Sequence, residues 1–302
     1  MHIPDGFLST PVWSVMGAAS IPAVAYLARR AQSQVEEARA PLLGVMGAFV
    51  FAAQMINFPV GVGTTGHLVG GALLAFTLGP AAAAVVMTAI LAVQALVFQD
   101  GGVLALGTNV FNMAIAGVLA GYLPYHYWGA SRRRNTAIFL GGALSVMVSA
   151  ILAVSQLLLS GVRIPAALLW LSLGLFGVTA ALEGGITLAV IRSLEALNPG
   201  WLRKPLVSAR PVMGGLAVAA VSLAVVGVLF ASSSPDGLER LAENLGIAAQ
   251  ARSLWKTPLA DYETSFLVNT WLRKATAGLA GLGLMYLAGI LLSRGISRRR
   301  GA

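Results

Sequence analysis

The sequence predicts an all-α integral membrane protein, and three observations carry that prediction. Only 10% of the 302 residues are charged and 57% are hydrophobic, whereas soluble domains carry roughly 25% charged residues. Mean hydropathy is +0.81, and apolar runs of bilayer-spanning length recur from Pro11 almost to the C-terminus. Basic residues gather in alternate loops, the asymmetry that orients membrane helices. No stretch is polar enough for a soluble catalytic domain. Cysteine is absent, which removes disulfides, thiolate metal sites and cysteine nucleophiles together.

Taken in order, hydropathy places a first span at about residues 11–28, before the charged Arg29, Arg30, Glu36, Glu37 and Arg39, and a second at about 42–57. Residues 58–71 are rich in Gly and Thr and read as irregular backbone, which is tolerated at membrane depth only where protein or a water-filled cavity surrounds it. They lead into a short third span ending at Gly79-Pro80, and a fourth covers about 81–98. After the polar turn Gln99-Asp100-Gly101-Gly102, a fifth span runs over about 103–123, then a loop holds Arg132, Arg133 and Arg134. Spans six and seven fall at about 136–159 and 166–191, and the basic, Pro-containing stretch 192–210 reads as a linker. An eighth span at about 211–230, a polar loop at about 232–274 and a ninth span at about 275–292 complete the chain. The expected organisation is about nine transmembrane helices in two modules, residues 1–204 with seven and 205–302 with two.

Nine spans put the termini on opposite sides. The loops sharing a side with the C-terminus hold 14 of the 20 basic residues and the opposite side holds 6, so the N-terminus is expected outside and the C-terminus in the cytoplasm. The net charge of +9 is thereby an orientation signal, and no nucleic-acid partner is expected. The expected location is the cell (inner) membrane. Hairpin parity puts His67 on the same side as the chain start.

Three histidines occur, at 2, 67 and 126. Residues 1–10 contain no Lys or Arg and so lack the basic region of a secretory signal peptide. Because His2 is large, the expected mature chain begins at Met1. Met1 and His2 can then offer three tethered nitrogens: the α-amine, the His2 amide and the His2 imidazole. His67 can supply a fourth. Four nitrogens in a plane suit Ni(II) or Cu(II). The other reading of the same residues makes His2 a polar side chain in a frayed start and His67 the cap of a helix beginning near Leu68. Pro4-Asp5-Gly6 is turn chemistry that favours an ordered start. Asp5 is either an acceptor for a ligand imidazole or a turn former. His126, among aromatics, reads as interfacial. Glu183 is the acid well inside a span, a functional candidate by default; it is expected far from His67, in a structural pairing or a contact to another subunit. Gln54, Asn57, Gln94, Asn109 and Asn112 either line a site or bond between helices. The loop at 232–274 either gates access or orders the N-terminal strand.

The opening MHIPDGFL, the GTTGHLVGGALLAF stretch at 63–76, the DGG at 100–102 and the NVFNM at 109–113 together resemble the substrate-capture component (NikM/CbiM type) of energy-coupling-factor transporters for nickel or cobalt. That resemblance covers roughly residues 1–200. The tail, with Pro235-Asp236-Gly237-Leu238-Glu239 between its two spans, resembles the small accessory subunit of those systems, fused here. The resemblance implies a transported Ni(II) or Co(II) ion held by the Met1 amine, the His2 amide and imidazole, and the His67 imidazole. It implies that this chain binds no ATP and is not an enzyme, with a transmembrane coupling subunit and two cytoplasmic ATPases as partners. The chain independently lacks a G-x-x-x-x-G-K-[ST] loop. Where members often read Gly-Gly-Thr-Ser-Gly-His, this chain reads Val62-Gly63-Thr64-Thr65-Gly66-His67. Planar four-nitrogen chemistry and the fusion both favour nickel; the alternative is Co(II) feeding cobalamin synthesis. A membrane metal sensor and an intramembrane metalloenzyme are further readings, the latter without the H-E-x-x-H ligand pattern.

Overall fold

The computed structural model describes residues 1–34, 40–61, 63–199 and 209–297. The expected module boundary at 204/205 lies outside them, as do Glu36, Glu37, Arg39, Arg203, Lys204, Arg298, Arg299 and Arg300. Apolar runs become helices because a bilayer offers no partners for free backbone groups. The order is α1 (Thr10–Gln34), α2 (Ala40–Gln54), a short antiparallel hairpin of β1 (Phe58–Gly61) and β2 (Thr64–Gly66), then α3 (Gly71–Leu78) and α4 (Pro80–Val93). A π-helical turn at Gln94–Phe98 ends α4; α5 (Leu106–Asn109) passes through a π-helical stretch, Val110–Gly117, into α6 (Val118–Trp128). The chain continues as α7 (Arg134–Leu159), α8 (Ala166–Leu197), α9 (Ala209–Val225), the short α10 (Gly237–Asn244) and α11 (Thr270–Ser297).

Each of the nine expected apolar segments is helical. Seven helices among the described residues are long and apolar enough to cross a membrane, and the chain is a multi-pass membrane protein. The two short ones are instructive. The 15 residues of α2 reach about 22 Å and the 8 of α3 about 12 Å, against a hydrocarbon core of about 30 Å. Every residue of α3 is buried. A helix too short to span is thus kept from lipid by its neighbours, as are the buried residues 64–70 before it.

Small residues let the surrounding helices close on this centre, as helix packing in lipid requires. Helix α7 packs along α8 and α6, while α9 and α11 both pack on α2. A Cβ on Gly141 would stand 2.4 Å from the Gly121 carbonyl oxygen, one on Gly142 2.9 Å from Gly184 Cα, and one on Gly289 2.3 Å from Gly44 Cα. By contrast, α1 keeps only 11% of its apolar window inside the bundle.

Candidate metal centre

The chain start is not frayed. Ile3 is fully buried; its N–H donates to Asn109 Oδ1 (2.9 Å), and its carbonyl accepts from Asn109 Nδ2 (3.0 Å) and from the Gly102 N–H (2.9 Å). The Asp5 carboxylate accepts from the N–H groups of Val103 (2.9 Å) and Ala105 (3.0 Å). It therefore anchors residues 1–8 on the 100–105 turn and is not an acceptor for a ligand imidazole. The Asp-Gly-Gly turn is built for this approach, since a Cβ on Gly102 would sit 2.1 Å from Asp5 Oδ1. From the other side the Arg252 N–H donates to the Asp5 carbonyl at 2.9 Å, so the loop at 232–274 does order the N-terminal strand.

His67 follows β2 directly, in the short connection to α3. Its Nδ1 lies 2.9 Å from the Leu68 carbonyl, which only accepts, so Nδ1 carries the proton and Nε2 presents its lone pair. Such a bond fixes both tautomer and ring direction, as for imidazoles that ligate metals. Nε2 stands 3.0 Å from the Met1 amine. Burial, then the neighbouring amine and His2, push the His67 pKa down to about 4, so the ring is in its ligand form at neutral pH. The backbone behind it is clamped: Val69 N–H and Gly70 N–H donate to the two oxygens of the fully buried Glu183, at 2.7 and 2.8 Å. Gly70 takes the left-handed φ of 76° that brings both N–H groups round to one carboxylate. The expectation that Glu183 lies far from His67 is corrected here. Hydropathy located its helix, α8, but not that the backbone at Val69 and Gly70 packs against it.

His2 is placed differently. Its ring stacks on His67 with centroids 5.5 Å apart and planes 5° from parallel. Its Nδ1 faces Asp100 Oδ1 at 3.0 Å, and its Nε2 is buried without a partner. A chelate with the His2 amide closes a six-membered ring only through Nδ1, so closing it requires the ring to leave Asp100. The structure thus gathers the Met1 amine, His2 and His67, but commits His2 Nδ1 to Asp100.

Asp100 is itself held by a directional chain of hydrogen bonds. Gln54 Nε2 donates to the Val69 carbonyl (2.7 Å), Gln94 Nε2 donates to Gln54 Oε1 (2.8 Å) and to the Tyr262 hydroxyl (3.0 Å), and that hydroxyl donates to Asp100 Oδ2 (2.6 Å). Partial burial raises the Asp100 pKa, but His2 and the hydrogen bonds from His2 and Tyr262 outweigh it and hold the carboxyl well below the usual carboxylate range. Burial, then Asp100, drive Tyr262 well above the ordinary phenol range. Tyr262 and Asp261 are non-glycine residues at φ 56° and 54°, a costly backbone that persists where its surroundings fix it.

The PDGLE run closes the remaining side. Asp236 caps α10: its Oδ1 accepts from the N–H groups of Leu238 (2.7 Å) and Glu239 (2.9 Å), while Glu239 Oε2 accepts from the Asp236 N–H (2.9 Å). This is a capping box written in D-x-x-E. Asp236 Oδ2 is left to form an ion pair with the Met1 amine and lies 3.9 Å from His67 Nε2. Burial works against its charge, yet the amine and His67 pull its pKa down. A parallel bridge from Thr65 to Asp236, with the Thr65 N–H donating 2.9 Å to the Pro235 carbonyl, joins this loop to β2.

Of the other sequence candidates, Asn112 pairs with Gln156 between helices (2.7 and 2.8 Å), Asn109 docks the N-terminal strand, and Gln54 and Gln94 belong to the chain behind Asp100. Asn57 lines a cavity of about 600 Å³ that also touches His2, His67, Asp100, Asp236 and Tyr262. Its described lining holds Glu239, Glu243 and Asp261 but neither Lys nor Arg. His126 sits at 6.0 Å from Tyr122 and 5.1 Å from Tyr127, ring to ring, away from this cavity. Asp100, Asp236 and Tyr262 were missed as site residues; the D-x-x-E spacing was the one available signal, and it announces a helix cap. Among the described residues, no trio of His, Cys, Asp or Glu side chains is placed to hold a metal ion. A metal site here depends on main-chain and α-amine nitrogens.

These features define a multi-pass helical membrane protein with a buried, nitrogen-rich centre closed by its own N-terminus. Residues 2–201 match the family described as the cobalt uptake substrate-specific transmembrane region, and residues 210–298 match the PDGLE domain; the chain belongs to the former family. It is similar to an Archaeoglobus fulgidus protein provisionally named a fused nickel transport protein, NikMN (34% identical, over 97% of this chain and 98% of that one). It is also similar to the fused nickel transport protein NikMN of Rhodobacter capsulatus (29% identical, over 100% of both). Among solved structures it resembles a truncated transition metal transporter, with a TM-score of 0.58 and 33% identity over 65% of this chain and 99% of that one.

Proposed function

We propose that this chain captures a divalent transition metal ion, Ni(II) in the first place, and serves as the substrate-binding membrane component of an ATP-driven importer. The observation that supports the ligand set is the approach of the Met1 amine to His67 Nε2 at 3.0 Å, with the His2 ring stacked beside them. The ion is held by the Met1 amine, the His2 amide and Nδ1, and His67 Nε2. Two fused chelate rings lower the entropic cost of gathering these donors. The nickel transport names of the two fused relatives favour Ni(II). Co(II) is the second reading, supported by relatives named for cobalt transport.

In this reading the chain hydrolyses no ATP. A transmembrane coupling subunit and two cytoplasmic ATPases supply the work. Residues 1–204 form the capture module and 205–302 the accessory one. The N-terminus lies outside the cytoplasmic membrane. The test is uptake of radioactive Ni(II) and Co(II) by cells making the chain with and without its ATPase partners. Uptake that requires both, and is lost with His67→Ala, is the expected result. Metal binding without any partner-dependent uptake would favour a sensor instead.

A further inference from the structure

We infer that Asp236, from the PDGLE segment, is a direct oxygen donor to the captured ion. This rests on the capture reading above and adds a ligand to it. Donors about 2.0 Å from one metal stand about 2.8 Å apart when adjacent and about 4 Å apart when opposite. Met1 N and His67 Nε2 are 3.0 Å apart, the spacing of an adjacent pair; His67 Nε2 and Asp236 Oδ2 are 3.9 Å apart, inside the roughly 4 Å that two donors of one ion can span, which leaves Asp236 a position above the nitrogen plane. Asp236 Oδ2 touches the amine as well. The amine and Asp236 Oδ2 therefore both lie within reach of an ion held on His67 Nε2.

The carboxylate is also held in place for the task. Its Oδ1 is committed to two N–H groups of α10, and the bridge to Thr65 fixes its backbone beside the His67 loop. Oδ2 is thus aimed by a helix cap, with only 13% of the Asp236 side chain exposed. While His2 Nδ1 rests on Asp100, the amine, His67 and Asp236 are the donors within mutual reach. An ion arriving from the acid-lined cavity meets these three first, and a mixed nitrogen and carboxylate set suits Ni(II) and Cu(II) in tetragonal fields.

The test uses the full chain with a free N-terminus, purified in detergent, and two variants. Asp236→Ser keeps one side-chain oxygen for the α10 cap and removes the second; Asp236→Asn keeps the cap and puts an N–H₂ where Oδ2 stood. Ni(II) and Cu(II) affinities are measured by equilibrium dialysis, and the bound ions are examined by ligand-field absorption and Cu(II) electron paramagnetic resonance. Both variants should bind about tenfold more weakly or worse, with spectra shifted from those of the unmodified chain. Changed spectra at unchanged affinity would still support a donor role. Spectra identical in all three proteins would overturn it, whether or not affinity falls, since a weaker site with the same spectrum means that Asp236 serves only the amine. If the unmodified chain binds no Ni(II), or binds it equally well after His67→Ala, the capture reading itself fails.

Discussion

The two stacked histidines are held by opposite means. His67 is fixed from within the bundle: a neighbouring carbonyl sets its tautomer, and Glu183 of α8 clamps the two residues that follow Leu68. His2 is fixed from across the cavity by Asp100, which depends on Tyr262 of the C-terminal segment. One ring is presented with its lone pair inward. The other has its chelating nitrogen on Asp100. If these nitrogens hold the ion as proposed, the bundle supplies a ready donor, while the C-terminal segment holds the donor that must turn.

Perturbing each side in turn tests this contrast. His67→Ala should remove Ni(II) binding in equilibrium dialysis; retained binding would mean that the chain start suffices alone. Glu183→Gln offers one acceptor to two N–H groups and leaves a buried donor unpaired, at a cost of about 1–3 kcal/mol. It should weaken Ni(II) binding about 10–100-fold, as other losses of support behind a ligand do, and lower the melting temperature. A chelate through the deprotonated His2 amide releases protons, so affinity should fall about tenfold per proton released for each unit drop in pH. His67, already pushed to about 4, contributes none of these above pH 6. Calorimetry in two buffers at pH 7 counts them. Tyr262→Phe keeps the ring stacked on Phe98 at 4.9 Å but frees Asp100 from its hydrogen bond, worth about 1 kcal/mol. With Asp100 less firmly placed, His2 should leave it sooner and Ni(II) capture should speed about fivefold in stopped-flow measurements. Slower capture would place both histidines under the same kind of control.

Much of the fold was legible because lipid enforces one rule on the backbone. The nine apolar runs all fall largely on helical residues, the fifth divided between α5, the π-helical stretch and α6, and the irregular 58–71 stretch, marked by Gly and Thr, holds the β1–β2 hairpin. Span count was less legible, since length in sequence does not say whether a short helix such as α3 is sheltered by others. Of the site, the three expected ligand residues were brought close, whereas the carboxylates around them were not foreseen. Asp100 and Asp236 sit in runs whose glycines signal turns, and nothing local in a turn says which distant group its acid will meet. Glu183 was misplaced for the same reason: its partners are backbone N–H groups 113 and 114 residues away.

The claim on which the rest depends is that the chain start is itself a ligand. Ni(II) affinity of the purified full-length chain should be compared with a free Met1 amine and with that amine acetylated or extended by a few residues, all else unchanged. With the amine free, tight binding and a planar-type Ni(II) spectrum are expected, both lost on blocking. Equal affinity and an unchanged spectrum after blocking would contradict the claim.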